Sequence, residues 1–372
     1  MTSKLFSPIT LAGVTFPNRV VISPMCQYSA PDGAASDWHM AHLGQFAMSR
    51  AGLLLLEATA VEPAGRISPL CLALYSDAQE GALARVVAML RYAGGDMPLG
   101  IQLGHAGRKG SCHMPWDGGH GLKPEEGGWP ICGPSALPYD GKRAVPEALD
   151  ETGMERIAAA FVDAAKRADR IGFDVVEYHC AHGYLLHSFL SAQSNRRQDG
   201  YGGSLENRMR FPLAVARRLR EAWPARKALG ARLDAEDATD AASLAETIAY
   251  ARELKAIGFD YVCLSRGSLS GAQKIISWPG YLLPLAAALR KATGLVTQAV
   301  GLIVDPRMAE EAVASGQVDM VALARGFLDD PRWVWHAAET LGAELTYPPQ
   351  YRGADPSLWK GATLRPHAHA AG

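Results

Sequence analysis

Ile171-Gly172-Phe173-Asp174 and Ile257-Gly258-Phe259-Asp260 are one phrase occurring twice; in both places a helical pattern ends at the glycine and a short apolar run follows. Glycine closes helices because it takes the left-handed conformation without a side-chain clash, so each phrase reads as a helix C-terminus feeding a strand. The repetition points to an internal βα repeat. Outward from it, eight near-continuous apolar runs occupy residues 19–25, 52–61, 98–105, 173–179, 228–234, 259–265, 295–301 and 318–325. Continuous rather than alternating hydrophobicity marks strands buried on both faces, the condition of a parallel sheet. Segments of helical period lie between and after them, at 38–49, 78–93, 151–171, 206–222, 241–257, 281–292, 306–314 and 331–341. Asp305-Pro306 and Asp330-Pro331 each set an N-cap residue before a proline suited to a first helical turn.

Eight alternating units of this kind predict an α/β fold of the (β/α)8 TIM-barrel type. The alternative, an open doubly wound sheet, lacks its G-x-G-x-x-G signature after the first run. Two segments depart from a minimal barrel. Residues 110–147, rich in Gly and Pro, interrupt the third unit and read as a lid excursion over the site. Residues 346–372, with Pro348, Pro349, Pro356 and Trp359, read as an irregular C-terminal extension. Residues 1–372 are therefore expected to form a single barrel domain.

Composition narrows the function. Of 372 residues, 48% are hydrophobic and 20% charged, which supplies a large core and argues against disorder. Lys plus Arg number 37 against 38 Asp plus Glu, so no strong field draws in nucleic acid or an anionic membrane, and a small-molecule substrate is expected. Cys26, Cys71, Cys112, Cys132, Cys180 and Cys263 are scattered without a C-x-x-C pair and read as reduced thiols. The N-terminus has no apolar signal core, and no run approaches the ~18 apolar residues of a membrane span, so a cytoplasmic location is expected.

In a TIM barrel, chemistry sits where the strands end and the loops begin. Strand four ends in His179-Cys180-Ala181-His182-Gly183-Tyr184, two imidazoles and a phenol within six residues. His179 and His182 are suited to donate hydrogen bonds to an oxygen that gains negative charge. Tyr184, protonated at neutral pH, is suited to deliver a proton. A structural capping network and a metal site are the other readings of this cluster; a catalytic metal requires a third ligand, for which His105 is the candidate, and a metal-dependent hydrolase or lyase is the corresponding activity. Arg232 ends strand five. Gly301 ends strand seven, and Ala324-Arg325-Gly326 ends strand eight, where this fold usually binds phosphate through open backbone and a cation. Gln102 places an amide at the end of an apolar strand and suits a heterocycle edge.

These residues, in this order, resemble the old yellow enzyme family, in particular its bacterial class that includes xenobiotic reductase A. The likeness runs from Leu5-Phe6-Ser7-Pro8 to about Arg352. It is carried by Ser23-Pro24-Met25-Cys26-Gln27-Tyr28, by residues 57–61, 101–109 and 177–185, by Tyr201-Gly202-Gly203-Ser204-Leu205-Glu206-Asn207-Arg208, and by Ala324-Arg325. The resemblance implies a non-covalent FMN, reduced by NADPH or NADH, that passes hydride to the β-carbon of an enal, enone, maleimide or nitroalkene, with Tyr184 as the proton donor. It implies that Ser23, Pro24, Met25, Cys26, Ala60, Gln102, Arg232, Ala324 and Arg325 contact FMN and that Tyr28, His179 and His182 face the substrate. Cys26 stands where other members carry a hydroxyl; as a weak donor it is expected to tune potential and fit rather than to attack. A homodimer or higher homo-oligomer is also implied, with Tyr351, Arg352 and Trp359 as the tail residues that would reach a neighbour. Trp116 and Trp129 either line the pocket or pack the excursion.

Overall fold

A computed structural model describes residues 3–235 and 242–364. Eight parallel strands close into a barrel: β1 (Val20–Ile22), β2 (Leu53–Ala60), β3 (Leu99–Gly104), β4 (Val175–Cys180), β5 (Ala228–Asp234), β6 (Tyr261–Ser265), β7 (Val296–Ala299) and β8 (Met320–Leu323). They pair in chain order, and β8 returns to β1 with Val321 opposite Val20. All eight expected runs form barrel strands, so the TIM barrel is the fold. The surrounding helices are α1 (Asp37–Ala47), α2 (Asp77–Gly94), α3 (Glu151–Ile171), α4 (Leu205–Ala222), α5 (Ala242–Ile257), α6 (Leu283–Thr293), α7 (Pro306–Ala314) and α8 (Trp333–Leu341). The fifth expected helix began at Ala241, which lies outside the described residues, as do residues 365–372 of the expected tail.

The repeated phrase has a structural meaning. Gly172 and Gly258 both take left-handed backbone, at φ 98° and 102°. The amides of Phe173 and Phe259 then donate back to Ala168 and Leu254, closing α3 and α5 in the same way. The aspartate that follows stitches the next strand to its neighbour. Asp174 accepts from the Leu99 amide and Asp260 from the Leu229 amide, at 2.9 and 2.8 Å. Asp319 repeats the device on Thr297 at 3.0 Å. Arg91 and Arg290 pair with Asp174 and Asp319, so the N-terminal rim of the barrel carries a recurring acid–base clasp.

Strand alternation divides the apolar residues into two cores. Leu54, Ile101, Val176, Leu229, Val262 and Val321 face outward and meet the helices. Val21, Leu55, Val175, Ala228, Tyr261, Cys263 and Met320 face inward and fill the barrel. Gly230 is required there, since a Cβ at that position would come within 2.1 Å of the Tyr261 ring. The bottom is plugged by a hairpin, Ile9–Leu11 with Val14–Phe16, whose Leu11 and Phe16 join the inner core. Short strands that each bury a single residue carry too little apolar pattern to be read from sequence.

One local expectation changes. The last helix starts at Trp333, not Pro331, because Asp330 closes a preceding short helix (Arg325–Asp329) and its carboxylate instead takes the Arg332 amide and the His336 ring. Residues 110–147 hold two 3-10 turns and a two-stranded ladder (Cys132–Gly133 with Glu147–Ala148). Among the described residues, no helix is long and apolar enough to cross a membrane.

Candidate active site

The C-terminal ends of β4, β5 and β6 bring one cluster together. The His179 and His182 ring centroids lie 5.1 Å apart, His179 and Tyr184 4.9 Å, and His182 and Tyr184 6.3 Å, all edge to face. His179 continues the inward alternation of β4, whereas His182 lies past the strand in left-handed backbone, φ 61°. That conformation costs energy for a residue with a Cβ and persists only where neighbours hold it. Here the His182 amide donates to Asp234 at 2.6 Å, and Lys109 Nζ donates to the His182 carbonyl at 2.7 Å. Gly267 passes directly over the ring, where a Cβ would come within 2.4 Å of His182 Cδ2, so the β6 loop can lie over the histidine only with glycine there.

Burial keeps both imidazoles neutral by pushing their pKa values well below the usual range, and the Arg232 charge adds to the effect. Their protons are placed by neighbours. The Ala181 amide donates to His179 Nδ1 at 3.3 Å, which leaves the proton of a neutral ring on Nε2. His182 Nε2 lies 2.7 Å from Ser265 Oγ, and Arg232 Nη2 donates to that same oxygen at 3.0 Å. A guanidinium cannot accept, so the Ser265 oxygen takes the Arg232 N–H and leaves the hydroxyl proton free to turn to His182 Nε2, an arrangement in which the ring carries its proton on Nδ1. In that arrangement one histidine offers Nε2–H and the other Nδ1–H. Burial raises the Tyr184 phenol well above its usual value, so it is protonated. Lys109 Nζ stands 5.2 Å from the centre of the Tyr184 ring, 4.7 Å from that of Tyr139, and its pKa falls to about 8 through burial and the nearby Arg143. The same lysine donates to the Ser268 carbonyl, which ties β3, the β4 loop and the β6 loop together.

Beneath this cluster, the inward polar side chains of the strands form a partly unsatisfied layer. Gln102 Nε2 donates to Glu177 at 2.7 Å and Tyr261 donates to its other oxygen at 3.2 Å, so the Gln102 carbonyl is left as the outward function. Burial raises the Glu177 carboxyl, and the Arg232 charge draws it back. Arg232 itself is buried with Nε and Nη1 unpartnered, and Ser23 Oγ is likewise orphaned. A buried guanidinium with two unmet N–H groups costs several kcal/mol unless a ligand meets it. Such donors, next to the Gln102 carbonyl, fit the alternating carbonyl and N–H edge of a flavin.

The other expected residues are placed as follows. Cys26 is half-buried as a residue but its thiol is enclosed, and this desolvation, with the Glu57 charge, raises the thiol pKa, so it stays protonated. Pro24 and Met25 are half-buried beside it, and Ala60 lines a small cavity with His179 and Tyr184. Tyr28 is in left-handed backbone, φ 49°, and meets the edge of Trp116 at 5.7 Å. Gly301 is at φ 119° at the end of β7. Ala324 caps the short helix that begins at Arg325, an exposed side chain. Trp129 packs the excursion, bonded to the Ala64 carbonyl and stacked under Arg66. Tyr351 turns back onto Trp335 and Arg332 of its own chain, while Arg352 and Trp359 are exposed. His105 is committed to Glu62 at 2.8 Å, and among the described residues no group of three His, Cys, Asp or Glu side chains is arranged to hold a metal ion. Lys109, Ser265, Glu177 and Gln298 were not singled out beforehand; Gln298, an amide inside an apolar run like Gln102, carried the same visible signal.

The chain matches the family profile described as the NADH:flavin oxidoreductase / NADH oxidase family over residues 4–344. It belongs to that family. Among similar proteins, it is 40% identical to an NADPH dehydrogenase of Geobacillus thermodenitrificans over 354 residues, 94% of this chain and 98% of that one. It is 38% identical to an NADPH dehydrogenase of Bacillus subtilis, covering 94% and 99%. Morphinone reductase, solved in complex with tetrahydroNAD, superposes with a TM-score of 0.75 at 28% identity, covering 95% and 93%. The chain is thus an old yellow enzyme family oxidoreductase whose cofactors are FMN and NAD(P)H.

Proposed function

We propose that this family member is an ene-reductase that saturates the polarised carbon–carbon double bond of an α,β-unsaturated carbonyl or nitro compound. What carries this reading is the convergence of His179, His182 and Tyr184 over the layer of unmet donors around Arg232. Held by Arg232, Gln102 and Ser23, the cofactor would supply hydride chemistry, linking NAD(P)H to the β-carbon. His179 Nε2–H and His182 Nδ1–H hold the substrate oxygen as the π electrons move onto it, each donor contributing roughly 3 kcal/mol in a dry site. Neutral rings serve here, because they donate without surrendering a proton to the oxygen. Tyr184 then protonates the α-carbon, and the tyrosinate recovers its proton from solvent, so one hydride and one proton are added.

Ser23, Pro24, Met25, Cys26, Ala60, Gln102, Arg232, Gly301, Ala324 and Arg325 hold the cofactor, and Tyr28 faces the substrate. Residues 1–372 act as one domain, with 110–147 as a lid, in a cytoplasmic homo-oligomer. Sedimentation showing only monomer at micromolar concentration would argue against the oligomer. Tyr184→Phe tests the chemistry: bleaching of the flavin by NADPH keeps its rate, whereas reoxidation by an enone slows by about 10²- to 10⁴-fold. Equal slowing of both half-reactions, or of neither, would remove Tyr184 from its role.

A further inference from the structure

Gln298 is fully buried in the middle of β7, and neither its amide nitrogen nor its oxygen has a hydrogen-bond partner among the described residues. An amide stripped of water and left unpaired is destabilising, so a residue of this kind in a folded core calls for a group that meets it. Alternation puts it on the inner face of the barrel, between Val296 and Val300, which pack against the inner core. The ladder sets it opposite Cys263 of β6, and sets Cys263 opposite Arg232 of β5. Gln298 and Arg232 therefore stand at one level, flanking a single short side chain. Arg232 is the other inward group at that level with unmet polar atoms. Cys263 does not serve the amide, since its thiol is directed to the Leu264 carbonyl.

We propose that Gln298 is a further cofactor-binding residue, whose amide hydrogen-bonds the same polar side of FMN that Arg232 serves. An amide both donates and accepts, so it suits a pyrimidine carbonyl and N–H or a ribityl hydroxyl, whereas Arg232 can only donate and cannot meet the N–H. The inference rests on FMN being the cofactor and adds a side-chain contact from within β7, where only the backbone at Gly301 was expected to serve it.

The test is reconstitution of apoprotein with FMN, followed by flavin fluorescence, for wild type, Gln298→Leu and Gln298→Glu. Leucine keeps the volume and removes both polar atoms. It is expected to raise the Kd for FMN about tenfold while leaving the apoprotein at least as heat-stable, because the orphaned amide is gone. Glutamate keeps the shape and adds a negative charge at the level of Arg232, and is expected to lower the midpoint potential of the bound flavin. Leucine binding FMN as tightly as wild type, or glutamate leaving the potential unmoved, would overturn the proposal. If leucine fails to fold, the glutamate potential alone decides it. Failure of wild type to bind FMN would instead strike at the cofactor assignment.

Discussion

Replacement of Lys109 by Met removes a positive charge 5.2 Å from the centre of the Tyr184 ring. At that separation, with an effective dielectric of about 20, two unit charges interact by about 3 kcal/mol. The lysine helps only while it is charged and only as Tyr184 becomes tyrosinate, so the loss falls on proton delivery and corresponds to a slowing of about 10²-fold. Its pKa of about 8 sets the pH window. Below that value the ammonium is present and the oxidative half-reaction is fast; as pH rises through it the charge is lost and the rate falls. Arg143 and Arg108 lower this pKa, while Asp234 and Cys112 raise it. Stopped-flow reoxidation of pre-reduced enzyme by cyclohexenone, from pH 6 to 10, reads the effect directly. Wild type should show the decline near pH 8, Lys109→Met should be slow and flat, and Lys109→Arg should stay fast across the range. A decline near pH 8 that survives in Lys109→Met would refute the reasoning, since the titrating group would then be another one.

Other expectations follow from the same geometry. Cys26→Ser should shift the flavin potential and the turnover rate without abolishing either, because a thiol held protonated by burial is no nucleophile; complete loss of turnover would contradict this. Ser265→Ala removes the hydroxyl that orders His182, so nitrogen-15 spectra of the imidazoles should show that ring leaving the Nδ1–H form, with about tenfold weaker phenolate binding, the cost of one hydrogen bond; an unchanged tautomer would show that Ser265 does not set it. His42 is buried, and its pKa falls to about 4, through desolvation first and His39 second. Its folded pKa lies below the unfolded one, so its share of stability is intact above about 6.5 and is lost as pH falls towards 4. His42→Leu should therefore flatten the melting-temperature profile over that interval, with wild type losing up to about 3 kcal/mol there.

The barrel was legible because strands buried on two faces and amphipathic helices write different periods into a chain, and because the Gly-Phe-Asp phrases mark where one becomes the other. The strand-end cluster was legible because His179, His182 and Tyr184 come from one short segment. What stayed hidden depends on contacts between distant segments. Lys109 reaches Ser268 across 159 positions, and His182 reaches Ser265 across 83. No local pattern records that a serine lies between an arginine and a histidine, or which imidazole nitrogen bears a proton. The plugging hairpin was missed for a different reason, brevity. Asp330 misled because one residue closes a helix and opens the next turn, so its proline did not mark the start of α8.

The most direct measurement is anaerobic reoxidation of the NADPH-reduced wild-type enzyme by a panel of activated alkenes, with analysis of the products. The yellow colour should return on mixing with enones, enals, maleimides or nitroalkenes, in step with formation of the saturated product. A flavin that stays bleached with every alkene, yet is reoxidised by oxygen or a quinone, would contradict the proposed activity.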